Sequence, residues 1–269
     1  HPKFMVLIQE TFEGKQNMPG FTETELKIQE IMGNSGYEFV DAAMTRDLMK
    51  RDQKRMTSAM NGNVSGDVQE LLLNDLGAEV IIIGITKTND QTAVLKSMSA
   101  NMKSKRALIQ LKAIDVYTGN ILATSSENAP GADIDSDAAS KKAIENAFKK
   151  ILGRTDPATS KFKAGPFLNT VSQKFVEGAT NRQINILVTG LDYNGITKFR
   201  NEVEQRVRGV KSVTNKGQEG KAARLEVRFA GKTDEFAGEL IAKAPNLGFN
   251  VKVTSSYPNK LVLSASLAK

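Results

Sequence analysis

The sequence predicts an α/β (α+β) protein of two parts, a mixed-sheet α/β sandwich followed by a smaller βαββαβ unit. Three observations predict it. A run of turn and breaker residues divides the chain past its middle. Ahead of that run, short apolar segments alternate with segments of helical periodicity. Behind it, two helical segments are each flanked by strand-like ones. At 269 residues the chain is too long for one small core.

Each element has its own signal. Phe4 to Ile8 is a continuous apolar run and reads as a buried strand. Thr22 or Thr24 can cap a helix carrying Leu26, Ile28 and Ile31, which stops at Gly33. Tyr37–Val40 is a short strand. Residues 42–60 read as one polar helix with Met44, Leu48, Met49, Met56 and Met60, broken by Gly62-Asn63. Asp67 then caps a helix bearing Val68, Leu71, Leu72 and Leu76, with Gly77 as its stop. Ala78–Ile85 is apolar at its centre, as expected of a central strand covered on both faces.

The pattern changes after that. Residues 86–128 contain no good helix. Ala107, Ile109 and Leu111 alternate with Leu108, Gln110 and Lys112, and then Ile114 and Val116 are apolar in the opposite phase. A one-residue slip of this kind predicts a bulge. Tyr117-Thr118-Gly119-Asn120 is a hairpin turn into Ile121-Leu122-Ala123. A closing helix follows, capped by Asp133, Asp135 or Ser136, with the stripe Ala139, Ala143, Ile144, Ala147, Phe148, Ile151 and Leu152.

The breakers Gly153, Asp156 and Pro157, and then Gly165-Pro166, place a linker at 154–166 between domains 1–153 and 167–269. The second domain starts with a short helix, Phe167–Glu177. Strands are expected at 184–191, 210–214, 225–229, 251–253 and 261–263. Helices carry Ile196, Phe199, Val203 and Val207, then Phe236, Leu240 and Ile241 after a Thr233 cap. That order is the ferredoxin-like plan with one strand added, both helices packing on one face of an antiparallel sheet.

Composition narrows the function. The chain has no cysteine and no tryptophan, so it has no thiolate nucleophile, disulfide or zinc–thiolate site. Cysteine-free chains suit an oxidising compartment. The only histidine is residue 1, where a tag remnant would stand. The chain opens without a signal segment, as a processed protein would. No apolar run reaches the ~20 residues of a membrane helix. Charge is uneven: residues 160–269 hold 18 Lys and Arg against 9 Asp and Glu, and the first 159 hold 19 against 21. The second domain is therefore expected to meet something anionic, unless its charge is only a solvated surface.

Leu76-Gly77-Ala78-Glu79-Val80-Ile81-Ile82-Ile83-Gly84 and Ile114-Asp115-Val116-Tyr117-Thr118-Gly119-Asn120-Ile121-Leu122-Ala123 occur in order, ahead of the closing helix. The first resembles the helix-to-strand step of the TolB amino-terminal-like fold, and the second is similar to that fold's "D-x-x-T-G" hairpin. The fold is shared by the curli secretion channel protein, lipoprotein activators of peptidoglycan synthases and the middle domain of flagellar assembly protein T. The resemblance covers residues 1 to about 155. It implies an envelope location, periplasmic or outer-membrane-associated, and assembly, scaffolding or secretion work through contact with other envelope proteins or with copies of itself. It implies no catalysis. Its residues are structural: Gly77 and Gly119 meet backbone needs, and Asp115 ties the turn.

No catalytic set, cofactor site or metal site is nominated, so the chain is read as a non-enzyme. Ser125-Ser126-Glu127 and Asp133-Ile134-Asp135-Ser136-Asp137 are the best polar clusters. The second has alternate carboxylates, as a calcium loop would, but a capped helix start explains it more simply. Gly62–Asp67 precedes a helix without the Lys-Ser or Lys-Thr of a phosphate loop. The methionines at 44, 49, 56 and 60 fit a core stripe, or an adaptable partner face. The residues expected to meet an anionic envelope component are Arg200, Arg206, Arg208, Lys211, Lys216 and Lys221. Arg224 and Arg228 share a strand face with Glu226. The alternative function is nucleic-acid binding by this basic domain, against which stands the shortage of aromatics for base stacking.

Overall fold

The computed structural model describes residues 2–12, 14–17, 19–20, 22–95, 101–219 and 221–268; His1 lies outside them. The chain divides into two compact units, His1–Phe175 and Val176–Lys269.

The first unit opens with β1 (Lys3–Phe12), β2 (Lys15–Asn17), α1 (Glu23–Gly33), β3 (Glu38–Phe39), α2 (Ala42–Arg51) and α3 (Gln53–Met60). There follow α4 (Asp67–Glu70, prolonged by a π turn over Leu71–Asp75), β4 (Val80–Asp90), α5 (Thr92–Leu95), β5 (Lys103–Asp115), β6 (Ile121–Asp133) and α6 (Ser136–Ile151). The strands form one sheet in the order β2-β1-β4-β5-β6, with β3 beside β1. β1 and β4 are parallel, and β4-β5-β6 is an antiparallel meander.

Both faces of this sheet are packed at Val80–Ile83, which is why that run is apolar without alternation. Phe4, Val6, Ile8, Val80 and Ile82 meet Ile28 of α1 and Ile144, Ala147 and Phe148 of α6. Met5, Leu7, Ile81, Ile83 and Ile114 meet Leu48, Met56, Leu71 and Leu72 on the other face. Thr22 caps α1, its hydroxyl accepting from Glu25 N. The buried Glu25 carboxylate accepts in turn from Gly20 N, Thr22 N and Ile8 N at 2.8, 3.1 and 2.9 Å. The Ile8 bond fills the stretch of the β1 margin between its pairings with β3 and β2.

The single helix expected over 42–60 is two. Asp52 leaves the helical region and its carboxylate accepts from Arg55 N, which ends α2 and starts α3. Asp67 is the first helical residue, and the capping position is Gly66 at φ 55° with no side-chain bond. Residues 86–128 hold the short α5. The phase change at Ile114 is no slip in β5. Ala107, Ile109, Leu111 and Ala113 face one core, and Ile114 and Val116 face the other. The register shift lies opposite, in β6, where Ala113 and Ile114 pair with Ala123 and Ile121.

β6 ends the sheet. Its Asn128 and Pro130 carbonyls accept from Lys150 Nζ and Asn146 Nδ2 of α6, at 3.2 and 2.9 Å. A Cβ at Gly131 would lie 2.3 Å from Ala139 O and Ala143 N, so α6 rests directly on the strand backbone.

The expected linker 154–166 is structured. β7 (Gly153–Thr155) pairs with β8 (Phe162–Ala164), and α7 (Pro166–Ala179) follows. Phe167, Leu168 and Val171 belong to the first unit's core, so the boundary falls at 175/176 and the helix assigned to the second domain packs with the first.

The second unit contains β9 (Arg182–Thr189), α8 (Tyr193–Arg206), β10 (Val210–Glu219), β11 (Ala222–Phe229), α9 (Thr233–Lys243), β12 (Phe249–Tyr257) and β13 (Lys260–Leu267). Sheet order is β10-β11-β9-β13-β12. β13 folds back from β12 and inserts beside β9, to which it runs parallel. The sheet is therefore mixed, where the ferredoxin-like plan expects an antiparallel one. Ile196, Phe199 and Val203 of α8 and Phe236 and Leu240 of α9 share one core with Ile184, Leu225 and Leu263. Thr233 starts α9, and its hydroxyl donates to Pro258 O at 2.7 Å rather than capping the helix.

Candidate functional site

Helices α2, α3 and α4 cover only half of their face of the first sheet. α3 ends at Met60, and beyond it Gln9, Lys87, Arg106, Gln110 and Ser126 are exposed. Leu7, Ile83, Lys112 and Thr124 stand side by side across β1, β4, β5 and β6 at the margin of the covered half. The next row is Gln9, Ile85, Gln110 and Ser126; the next is Thr11, Lys87, Leu108 and Asn128. Asn89 and Arg106 follow. Side chains two apart along a strand share a face, so these rows form one surface. With Met60 and Asn61 as its wall, the inner part makes an open groove of about 590 Å³. Gly62 borders it beside Ile83 and Lys112, in the left-handed region at φ 81° that favours glycine.

Lys87, Arg106 and Lys112 are the charged residues of these rows, and no carboxylate projects from them. Among the described residues no ion pair reaches any of the three; Lys87 and Arg106 are exposed and Lys112 is half-buried. The opposite face of the same sheet, at α1 and α6, is laced with pairs such as Lys141–Glu23 and Lys149–Glu145. The groove floor mixes apolar Leu7, Ile83 and Ile85 with the amides Gln9 and Gln110 and the hydroxyls Thr124 and Ser126. Among its described residues no nucleophile is poised by a base.

The other polar clusters are engaged in structure. Ser125 and Ser126 point to opposite faces of β6, and Glu127 lies 3.7 Å from Lys150. Asp135 caps α6, accepting from Ala138 N at 2.8 Å, while Asp133 pairs with Lys142 and Asp137 with Lys141. Among the described residues no three metal-ligating side chains gather. Met56 is fully buried, Met49 and Met60 lie at the core margin, and Met44 is exposed. Asp115 accepts from Tyr117 N at 2.8 Å and ties the turn at Gly119, whose φ is 74°.

The basic residues expected to act together are scattered. Arg200 and Arg206 lie on α8, on the helical side of the second sheet, and Arg206 pairs with Glu202. Arg208 follows α8, Lys211 sits at a register shift of β10, and Lys221 is in the β10–β11 turn. Lys216 reaches Glu226 at 3.3 Å, on the helix-free face. That face also carries Arg228, Arg224, Lys260 and Lys252, the last two absent from the sequence expectation. Period-two reading of 250–254 and 260–266 could have found them.

No helix among the described residues is long and apolar enough to cross a membrane. No family model matches the chain, and no curated protein matches it. Solved structures are similar in part, three of them as follows. A lipoprotein, GNA1162 from Neisseria meningitidis, is 14% identical over 55% of this chain and 94% of its own, with a TM-score of 0.36. The LpoB C-terminal domain from Salmonella enterica is 13% identical over 47% and 81%, with a TM-score of 0.25. The hypothetical protein CT253 from Chlamydia trachomatis is 8% identical over 65% and 96%, with a TM-score of 0.30. At these scores the likenesses carry no argument about function, and the chain is placed by its own architecture: an α+β protein of two mixed sheets whose first sheet leaves half a face uncovered.

Proposed function

We propose that this chain is a non-enzymatic assembly, scaffolding or secretion-accessory protein of the cell envelope, periplasmic or outer-membrane-associated, that works through protein contacts. One observation carries the reading. The two motifs that resemble the TolB amino-terminal-like fold form a single stitched unit: Val116 N donates to Glu79 O at 3.0 Å, Tyr117 Oη donates to Glu79 Oε1 at 2.8 Å, and Gln69 Nε2 donates to the Val116 and Tyr117 carbonyls. The absence of cysteine from the sequence suits the same compartment. The uncovered half of the first sheet supplies a surface for contact. Fractionation of cells making the natural precursor tests this. Recovery with the periplasm or outer membrane is the expected result; recovery in the cytosol with an unprocessed N-terminus overturns it.

A second reading, nucleic-acid binding, draws on the helix-free face of the second sheet, which carries Lys216, Arg224, Arg228, Lys252 and Lys260 together with Glu226. Among the described residues Tyr257 is the one aromatic there, which is thin provision for stacking. Absence of any mobility shift of RNA or DNA by the full chain at low salt removes this reading.

A further inference from the structure

We infer that the uncovered half of the first sheet is a docking surface for an extended, acidic and apolar segment of a partner protein. The inference rests on the protein-contact reading above and names the chemistry of the partner.

Charge is the first argument. Lys112, Lys87 and Arg106 stand on one face without a carboxylate among them and without an ion pair among the described residues. Elsewhere on this unit exposed cations are interleaved with acids, as at α1 and α6. Cations with no ion pair among the described residues, on rows that carry no carboxylate, favour an anionic partner, both by steering its approach and by fixing its register.

Spacing is the second. Lys112 and Arg106 lie six residues apart on β5, about 20 Å at ~3.3 Å per residue. Between them the surface is Gln110 and Leu108, with Ile85 and Lys87 beside them on β4. An extended peptide has the same repeat. One laid along β5 with carboxylates at two positions about six apart meets both cations, and apolar side chains between them meet Ile85 and Leu108. Gln9, Gln110 and Ser126 supply donors and acceptors for its backbone. The groove beside Met60 takes a side chain at the Lys112 end.

The alternatives fit less well. A nucleic acid needs stacking aromatics or closely set phosphate contacts, and these rows contain no aromatic residue. A lipid surface calls for cations around a protruding apolar side chain, whereas Ile85 and Leu108 are half-buried in the sheet.

The test is selection of a random dodecapeptide library on the full chain, run in parallel on a K87E/R106E/K112E variant whose fold is checked by circular dichroism. Each changed side chain sits at the surface, so the variant is expected to fold. On the unaltered chain, enriched peptides should carry two or more carboxylates with apolar residues between them. Their binding should weaken about tenfold or more in the variant, and should weaken in 0.3 M salt. A K252E control in the second unit should bind as the unaltered chain does. Enrichment of basic or neutral peptides, equal binding by the variant, or no enrichment over the variant overturns the inference. Any of these with the protein still recovered in the envelope leaves the proposed function standing; recovery in the cytosol with acidic peptides bound does the reverse.

Discussion

Replacing Gly131 by alanine sets two effects of opposite sign against each other. Alanine in place of glycine lowers the entropy of the unfolded chain and on that account stabilises by about 0.4–1 kcal/mol where the site accepts it. Gly131 is not among the positive-φ glycines, so its backbone would accept the change. Its surroundings do not. The new Cβ would stand 2.3 Å from Ala139 O and Ala143 N and 2.8 Å from Ala143 Cα, all helix backbone that cannot rotate aside. Restoring ordinary contact moves α6 outward by about 1 Å, which forfeits a quarter to a half of each contact that the helix makes. Those contacts involve Ile144, Phe148 and Ile151, all buried. Overpacking of this kind costs about 1–3 kcal/mol, so clash outweighs entropy and we expect a net loss of about 2 kcal/mol. Urea unfolding followed by circular dichroism, with hydrogen exchange of the β5 and β6 amides, measures it. Gly238→Ala is the control. It lies in α9 with nothing within 4 Å of the new Cβ, and it should stabilise by about 0.5–1 kcal/mol. Gly131→Ala as stable as the unaltered protein, with unchanged exchange in β6, would refute the close-approach argument.

Three further outcomes are expected. Burial raises the Glu25 carboxyl above the ordinary 4.5, against the pull of the Ile8, Thr22 and Gly20 amides. Its contribution to stability is therefore full below 4.5 and lost as pH rises through the folded value, and Glu25→Gln should remove that part of the pH dependence; parallel curves for the two proteins in urea titrations between pH 4 and 8 would contradict it. The Asp90 carboxylate, held by Thr92 and then by Lys105, titrates at about 2, so its small contribution disappears as pH falls from 3.8 toward that value. Carboxyl NMR should show that midpoint, and a shift back toward 3.8 in Thr92→Ala. Gln69→Leu leaves the Val116 and Tyr117 carbonyls without their buried donor and should cost about 1–3 kcal/mol, read as a lower urea midpoint together with faster exchange at the Gly119 turn.

Much of the first unit is legible along the chain because its physics is local. The Thr22 cap, the two-sided Val80–Ile83 strand and the Asp115–Gly119 turn are each set by residues within a few positions of one another. The α2–α3 break was not legible, since Asp52 is an ordinary helix residue until its carboxylate turns to Arg55 N. Nor was the true unit boundary. Phe167, Leu168 and Val171 read as a helix either way, and only tertiary packing decides whose core they join. The exposed half-face of the first sheet was visible in disguise. Leu108, Gln110 and Lys112 give way to Ile114 and Val116 along β5 and its end because helices bury the last two and leave the first three open to solvent in part or whole. A change of solvent along one strand looks, in sequence, like a change of register. The six basic residues of the second unit lie on different elements, a placement that a charge count cannot show because it carries no geometry.

The way β6 ends its sheet has a consequence for life at high concentration. A border strand of 13 residues is an invitation to fibre growth, since a neighbour's strand could simply continue the ladder. Along the Asn128–Pro130 stretch that invitation is withdrawn: α6 side chains already occupy the acceptors, and proline offers no donor. A neighbouring strand is thereby denied that part of the border.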